Sequence, residues 1–140
     1  MPRGALLLWL LPAAVPAATP APPAHPLIGT WQLALPGEAC AETYEYRADG
    51  TGHTVSAGEE TELEYAVEAE AGENGAWRLT ETIVHSNGQP DCSGHVTPLG
   101  RPTTLYVAPL RGGLLLCFDQ ALRACLGPMT RIGAPGRGAR

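Results

Sequence analysis

Residues 60–70 read Glu60-Thr61-Glu62-Leu63-Glu64-Tyr65-Ala66-Val67-Glu68-Ala69-Glu70. In an extended chain Leu63, Tyr65, Val67 and Ala69 fall on one side, and Glu60, Glu62, Glu64, Glu68 and Glu70 on the other. A period of two with one apolar side marks a strand that buries one face and wets the other. With Glu59 and Glu73, seven acids form a solvated face here, or a docking face for a basic partner or cations. The same charges discourage edge-to-edge aggregation.

The pattern continues on both sides. Upstream, residues 43–48 place Tyr44 and Tyr46 on one face and Thr43, Glu45 and Arg47 on the other, followed by Asp49-Gly50 and a second run over residues 51–56. Asp-Gly supplies the positive φ angles of a tight hairpin turn. Downstream, residues 76–85 put Trp77, Leu79, Glu81, Ile83 and His85 on one face. Further strands are expected at 28–35, 92–97, 103–108, 114–118 and 128–132, with turns at Asn87-Gly88 and Gly112-Gly113. Helical periodicity is scarce. Eight or nine short strands joined by turns form an antiparallel meander, and closing it removes both exposed edges. The expected fold is an all-β, small antiparallel β-barrel of about eight strands, disulfide-stapled, with a β-sandwich as the alternative.

Four cysteines, Cys40, Cys92, Cys117 and Cys125, are an even set. In an exported domain disulfides are the default for such a set. A strand at 114–118 and a turn at 119–123 bring Cys117 beside Cys125, leaving Cys40 to pair with Cys92. In the chain-entropy account the larger loop contributes about 4 kcal/mol and the smaller about 2–3. The competing reading is a metal site, because Cys92-Ser93-Gly94-His95 has ligand-like spacing and His53 or His85 could complete a set. Oxidised cysteines cannot serve as thiolate ligands and no second CxxC or HxxxH pattern is present, so no metal and no cofactor are expected.

Export is read from the N-terminus. Met1-Pro2-Arg3 precedes an apolar stretch over residues 4–15, and small residues follow at Ala17 and Ala18, the layout of a signal peptide over residues 1–18. Residues 19–26 form a Pro-rich arm, residues 27–132 the β-barrel domain, and residues 133–140, made of Gly, Ala, Pro and Arg, a disordered tail. No later apolar run reaches the roughly 20 residues of a membrane helix, so no membrane insertion is expected. The domain carries six arginines against 14 acidic residues, a formal charge of −8. That excess argues against nucleic acid and anionic membranes as partners. The absence of lysine and the abundance of Ala, Gly and Pro suggest a GC-rich genome. A bacterial protein of the periplasm or the extracellular space is expected.

Leu27-Ile28-Gly29-Thr30-Trp31 opens the first strand. It resembles the Gly-x-Trp opening of the calycins: the lipocalins, avidins, fatty-acid-binding proteins and the small bacterial inhibitors of secreted metalloproteases. The resemblance implies that Gly29 lets the chain turn into a barrel and that Trp31 packs across its floor. It also implies a binding cavity, or an N-terminal segment that enters a protease cleft as in the inhibitors.

No catalytic constellation is evident. Asp91-Cys92-Ser93-Gly94 sets a serine beside an acid without a Gly-x-Ser-x-Gly elbow, and reads as a turn entering a strand. The protein is therefore expected not to be an enzyme. Glu81 on an otherwise apolar face needs a partner if that face lines a barrel; the competing reading is a bulge that returns it to solvent, or a pairing with one of the arginines. The candidate cavity residues are Tyr44, Tyr46, Trp77 and Glu81, and His85 is a rim residue. The expected function is an exported non-enzymatic binding protein with a small or partly apolar ligand. The alternative is a protease inhibitor or protein-interaction module acting through the arm or the acidic strand.

Overall fold

The computed structural model describes Met1 and residues 24–35, 37 and 39–133. Residues 2–18 of the expected leader, residues 19–23 of the expected arm and residues 134–140 of the expected tail lie outside the described residues. Eight strands follow one another: β1 (Gly29–Ala34), β2 (Ala41–Tyr46), β3 (Thr51–Ser56), β4 (Glu59–Val67), β5 (Trp77–Ser86), β6 (Thr103–Leu110), β7 (Gly113–Cys117) and β8 (Cys125–Gly133). Each pairs antiparallel with the next, and β8 returns to pair with β1, so the sheet closes as a barrel in sequence order. This is the expected all-β barrel rather than the sandwich. No helix among the described residues is long and apolar enough to cross a membrane.

The alternation read in the sequence becomes inside and outside. In β4, Thr61 and Leu63 are buried while Glu60 and Glu64 are exposed. The turn between β2 and β3 is longer than an Asp-Gly pair: Arg47 N–H donates to Thr51 O (2.9 Å) and Gly50 N–H to Arg47 O (3.2 Å). Only Gly50 takes positive φ there, at 83°, the pattern of a three-residue loop ending in a bulge. Both expected disulfides form, Cys40–Cys92 and Cys117–Cys125. The second joins residues directly opposite each other across β7 and β8.

Three expectations fail. Residues 92–97 are not a strand; with Asn87-Gly88 they belong to the loop over residues 87–102 that joins β5 to β6. Turn chemistry from Asp91 dominates that segment. Glu59 does not belong to the outward acidic run: it is 4 % exposed and shares the inward parity of Thr61 and Leu63. His85 does not share the face of Glu81. Leu63 pairs with Ile83 but Glu62 with His85, so β5 carries an extra residue at Val84 that reverses the alternation and turns His85 outward.

The end of the barrel where β1 begins is closed. Trp31 lies across it, 4 % exposed, and its Nε1–H donates to Leu27 O (2.8 Å). The Arg131 guanidinium stacks on the Trp31 ring, 4.2 Å from its centroid, and donates to Ile28 O (2.9 Å) and Pro26 O (3.0 Å). A Cβ on Gly29 would fall 2.1 Å from Arg131 Nη1, and φ there is +142°, so this position requires glycine. Leu27, Leu33, Leu79, Val107 and Met129 continue the core behind Trp31, each no more than 1 % exposed.

The last residues of the expected arm are fixed to this same end. His25 meets Trp77 edge-on at 4.9 Å, accepts the Leu27 N–H at Nδ1 (3.1 Å) and lies 3.1 Å from Glu68 O through Nε2. Those contacts suit the neutral ring protonated on Nε2, and burial lowers its pKa in the same sense.

Candidate functional site

At the opposite end the interior changes character. Strands β2 to β5 and the loop over residues 87–102 enclose a recess of about 150 Å³. Its wall follows from inward parity: Glu42 and Tyr44 come from β2, Thr54 and Ser56 from β3, Glu59, Thr61 and Leu63 from β4, and Glu81 and Ile83 from β5. Asp91 and Thr97 reach it from the loop.

The loop is held over the recess by side chains of the barrel. The Cys40–Cys92 bond ties it to the chain entering β2. Cys92 N–H donates to Ser56 Oγ (3.0 Å), and Ser56 Oγ donates to Glu42 Oε1 (2.7 Å). Both oxygens of Glu59 accept from Thr97, one from its N–H and one from its hydroxyl, each at 2.9 Å. Asn87 links the start of the loop to the β3–β4 turn through Glu60 N–H and Gly58 O. Asp91 shapes the turn itself: its Oδ1 accepts from Ser93 N–H and His95 N–H, both at 2.9 Å. Burial works to raise the pKa of Asp91, but the hydrogen bonds from Ser93 and His95 prevail and hold it below the usual carboxylate range.

Deeper in, Tyr46 is 1 % exposed and its hydroxyl donates to Glu81 Oε1 (2.5 Å). Its ring meets Tyr65 edge-on at 5.1 Å. Tyr44 donates to Glu42 Oε2. Burial raises the Glu81 pKa, and the Tyr46 hydrogen bond offsets this only in part. Burial also raises both tyrosines, reinforced by Glu42 beside Tyr44 and by Glu81 beside Tyr46, so both phenols stay protonated donors. Glu81 Oε2 has no protein hydrogen-bond partner among the described residues.

The structure thus brings Tyr44, Tyr46 and Glu81 together. Trp77 is not with them: it starts β5 and packs on His25 at the closed end. Glu42 and Glu59 were missed although their parity was available, since Glu42 lies two residues before Tyr44 and Glu59 two before Thr61. Asp91 and Thr97 enter through an irregular loop, for which the sequence offers no period.

Ser93 does meet a histidine, with Oγ 3.0 Å from His95 Nδ1, but Asp91 Oδ1 takes the serine hydroxyl (2.7 Å) instead of buttressing the imidazole. The acid, base and nucleophile are therefore not in relay order. His53 and His85 face outward on either side of Glu62. With Cys92 in a disulfide, no group of three or more His, Cys, Asp or Glu among the described residues is arranged to hold a metal ion. No family model matches the chain, and no match was found among the curated proteins or the solved structures with which it was compared.

Proposed function

We propose that this protein is an exported, non-enzymatic binding protein: a calycin-like barrel that holds one small ligand in the recess beneath the loop over residues 87–102. The observation that carries this reading is the recess itself. An interior packed solid from end to end would leave nowhere for a ligand, whereas an eight-stranded barrel can either fill its centre or hold one small molecule. Here one end is filled and the other is not. Leu63 and Ile83 supply an apolar wall and Tyr44 and Glu81 supply polar groups, the mixture that orients a small ligand. The Gly29–Trp31 opening on a closed eight-stranded barrel supports the calycin-like assignment, and two disulfides fit an oxidising compartment such as the periplasm or the extracellular space.

Native mass spectrometry of protein purified from its own host tests this. A stoichiometric small-molecule adduct, lost on denaturation, is expected. Repeated preparations carrying no adduct, together with no binding to any small-molecule panel, would remove the reading.

A second reading is a protein-interaction module acting through the N-terminal arm. It draws on the anchoring of His25 and Pro26 to the closed end, which gives the preceding residues a fixed point of departure. Removing residues 19–24, and not His25, should abolish such an interaction without lowering thermal stability.

A further inference from the structure

The hydrogen bonds around the recess narrow the chemistry of its ligand, given the binding reading on which this step rests. Four hydroxyls there already donate to carboxylates, Tyr44 and Ser56 to Glu42, Tyr46 to Glu81, and Thr97 to Glu59, while Thr54 and Thr61 bring two further hydroxyls to the wall. The acceptors left toward the open space are the lone pairs of the Tyr44 oxygen, Glu81 Oε2 and the second oxygen of Asp91. Four carboxylates, Glu42, Glu59, Glu81 and Asp91, border one space of about 150 Å³, and no Arg, Lys or His lines it. Of these, Glu59 and Glu81 are withdrawn from water, and carboxylates so placed without a counter-charge favour a cation.

Two observations favour an organic cation over a metal ion. A hard metal ion needs several oxygens converging on one point at about 2.0–2.6 Å. No such group of side chains exists among the described residues. Furthermore, Glu42 and Glu59 each have both oxygens engaged by hydroxyl or N–H donors, which leaves Glu81 as the deep carboxylate with a free oxygen. The recess is also sided: Leu63 and Ile83 form an apolar patch next to Glu81. An apolar void of ~150 Å³ takes one benzene, so the occupant is limited to a handful of heavy atoms.

We propose that the recess binds a small primary ammonium ion, its N–H groups directed at Glu81 Oε2 and the Tyr44 oxygen and its short alkyl part against Leu63 and Ile83. The carboxylate of Glu81 supplies selectivity, because a neutral or anionic molecule of the same shape leaves that acceptor unpaired or repels it.

Three molecules of one size test this: n-butylamine, 1-butanol and butyrate. Each is titrated at neutral pH into the disulfide-bonded protein and followed by amide chemical shifts. Butylammonium should shift Tyr44, Leu63 and Glu81 saturably, with a Kd about tenfold or more below that of butanol, while butyrate leaves them unmoved. Glu81→Gln, which keeps an acceptor for Tyr46, should weaken the amine by about tenfold or more. Glu62→Gln on the outer face should leave it within about twofold. Butanol or butyrate binding as tightly as the amine would overturn the ammonium proposal while leaving a binding recess. If none of the three moves these amides, the ammonium proposal falls, and the binding reading is then decided by the native mass spectra. Calcium ions that shift the same amides and displace the amine would likewise overturn the proposal, in favour of a metal site.

Discussion

The two ends of this barrel are built from the same strands and solve opposite problems. At the closed end Trp31, Leu27 and Leu79 exclude water, and the guanidinium of Arg131 is spent on two backbone carbonyls and an aromatic face. At the mouth the inward positions hold Glu42, Glu59 and Glu81, and the cover is an irregular loop. A single strand shows the change: β5 turns Leu79 inward at 0 % exposure, and the next inward residue is Glu81. Burial of apolar area stabilises the fold at one end, whereas gathered carboxylates cost stability at the other, where a fold optimised only for stability would have leucine.

The comparison breaks most easily at Trp31. Replacing it with alanine removes a buried indole from the closed end, the Nε1–H bond to Leu27 O and the platform under Arg131. Losses of about 3–5 kcal/mol are expected, read from urea or guanidinium midpoints. A loss below ~1 kcal/mol would mean that the closed end does not carry the stability assigned to it.

The loop over the mouth should matter nearly as much for a different reason. The Cys40–Cys92 bond spans 52 residues and Cys117–Cys125 only 8. Constraint of the unfolded chain then gives about 4 kcal/mol for the first and about 2.5 for the second. Replacing both Cys40 and Cys92 with alanine should cost more than the equivalent change at Cys117 and Cys125, and should speed amide exchange selectively in residues 87–102. Exchange that rises equally at the closed end would merge the two ends into one unit.

These contrasts were unequally legible in the amino-acid sequence. Alternation over residues 60–70, with the turn signals on either side, is a local property, and it led to an all-β barrel of about eight strands, although one of the nine expected runs, 92–97, is loop; the cysteine pairs followed from the turn at 119–123. The bulge at Val84 is not local: it appears only when β5 is laid against β4, and it decides that His85 faces out while Ile83 faces in. Glu59 was misplaced because its neighbours Glu60, Glu62 and Glu64 lie on the outer face, and composition spoke louder than parity. Half of the mouth is written in strands, where Tyr44 and Glu81 could be foreseen. The other half depends on where Asp91 and Thr97 land, which is set by contacts to Ser56 and Glu59 far away in sequence.

Glu81 gives a smaller and pH-dependent test. Burial raises its folded pKa above the ordinary value of 4.5. Between the unfolded and folded values the native state holds the proton that the unfolded chain releases, so stability falls as pH rises through the folded pKa and stays lower above it. Glu81→Gln cannot lose that proton, and its amide oxygen still accepts from Tyr46. Thermal scans should show the variant more stable than the parent at pH 7 to 8, and the two alike below pH 4, with recess binding weakened at neutral pH. A variant less stable at neutral pH would mean that Glu81 supports the fold and is not a cost borne for binding.

The smallest effect is expected on the outer wall, where the same residue type meets water. Arg47 pairs with Glu45 (3.1 Å) and Glu62 (3.3 Å), and all three side chains are partly exposed. Exposed pairs of this kind contribute about 0–1 kcal/mol and fade as salt shortens the Debye length. Glu62→Gln should therefore move stability by no more than about 0.5 kcal/mol, with the difference vanishing near ~1 M salt. Glu62 and Glu81 lie on neighbouring strands and differ in which way the pleat points them. If Glu62→Gln were to stabilise the protein at neutral pH as Glu81→Gln should, the distinction between a solvated acidic face and an acidic recess would be lost. A null result at Glu62 beside a pH-dependent gain at Glu81 places the carboxylate cost inside the barrel, on the side of the sheet that a ligand can reach.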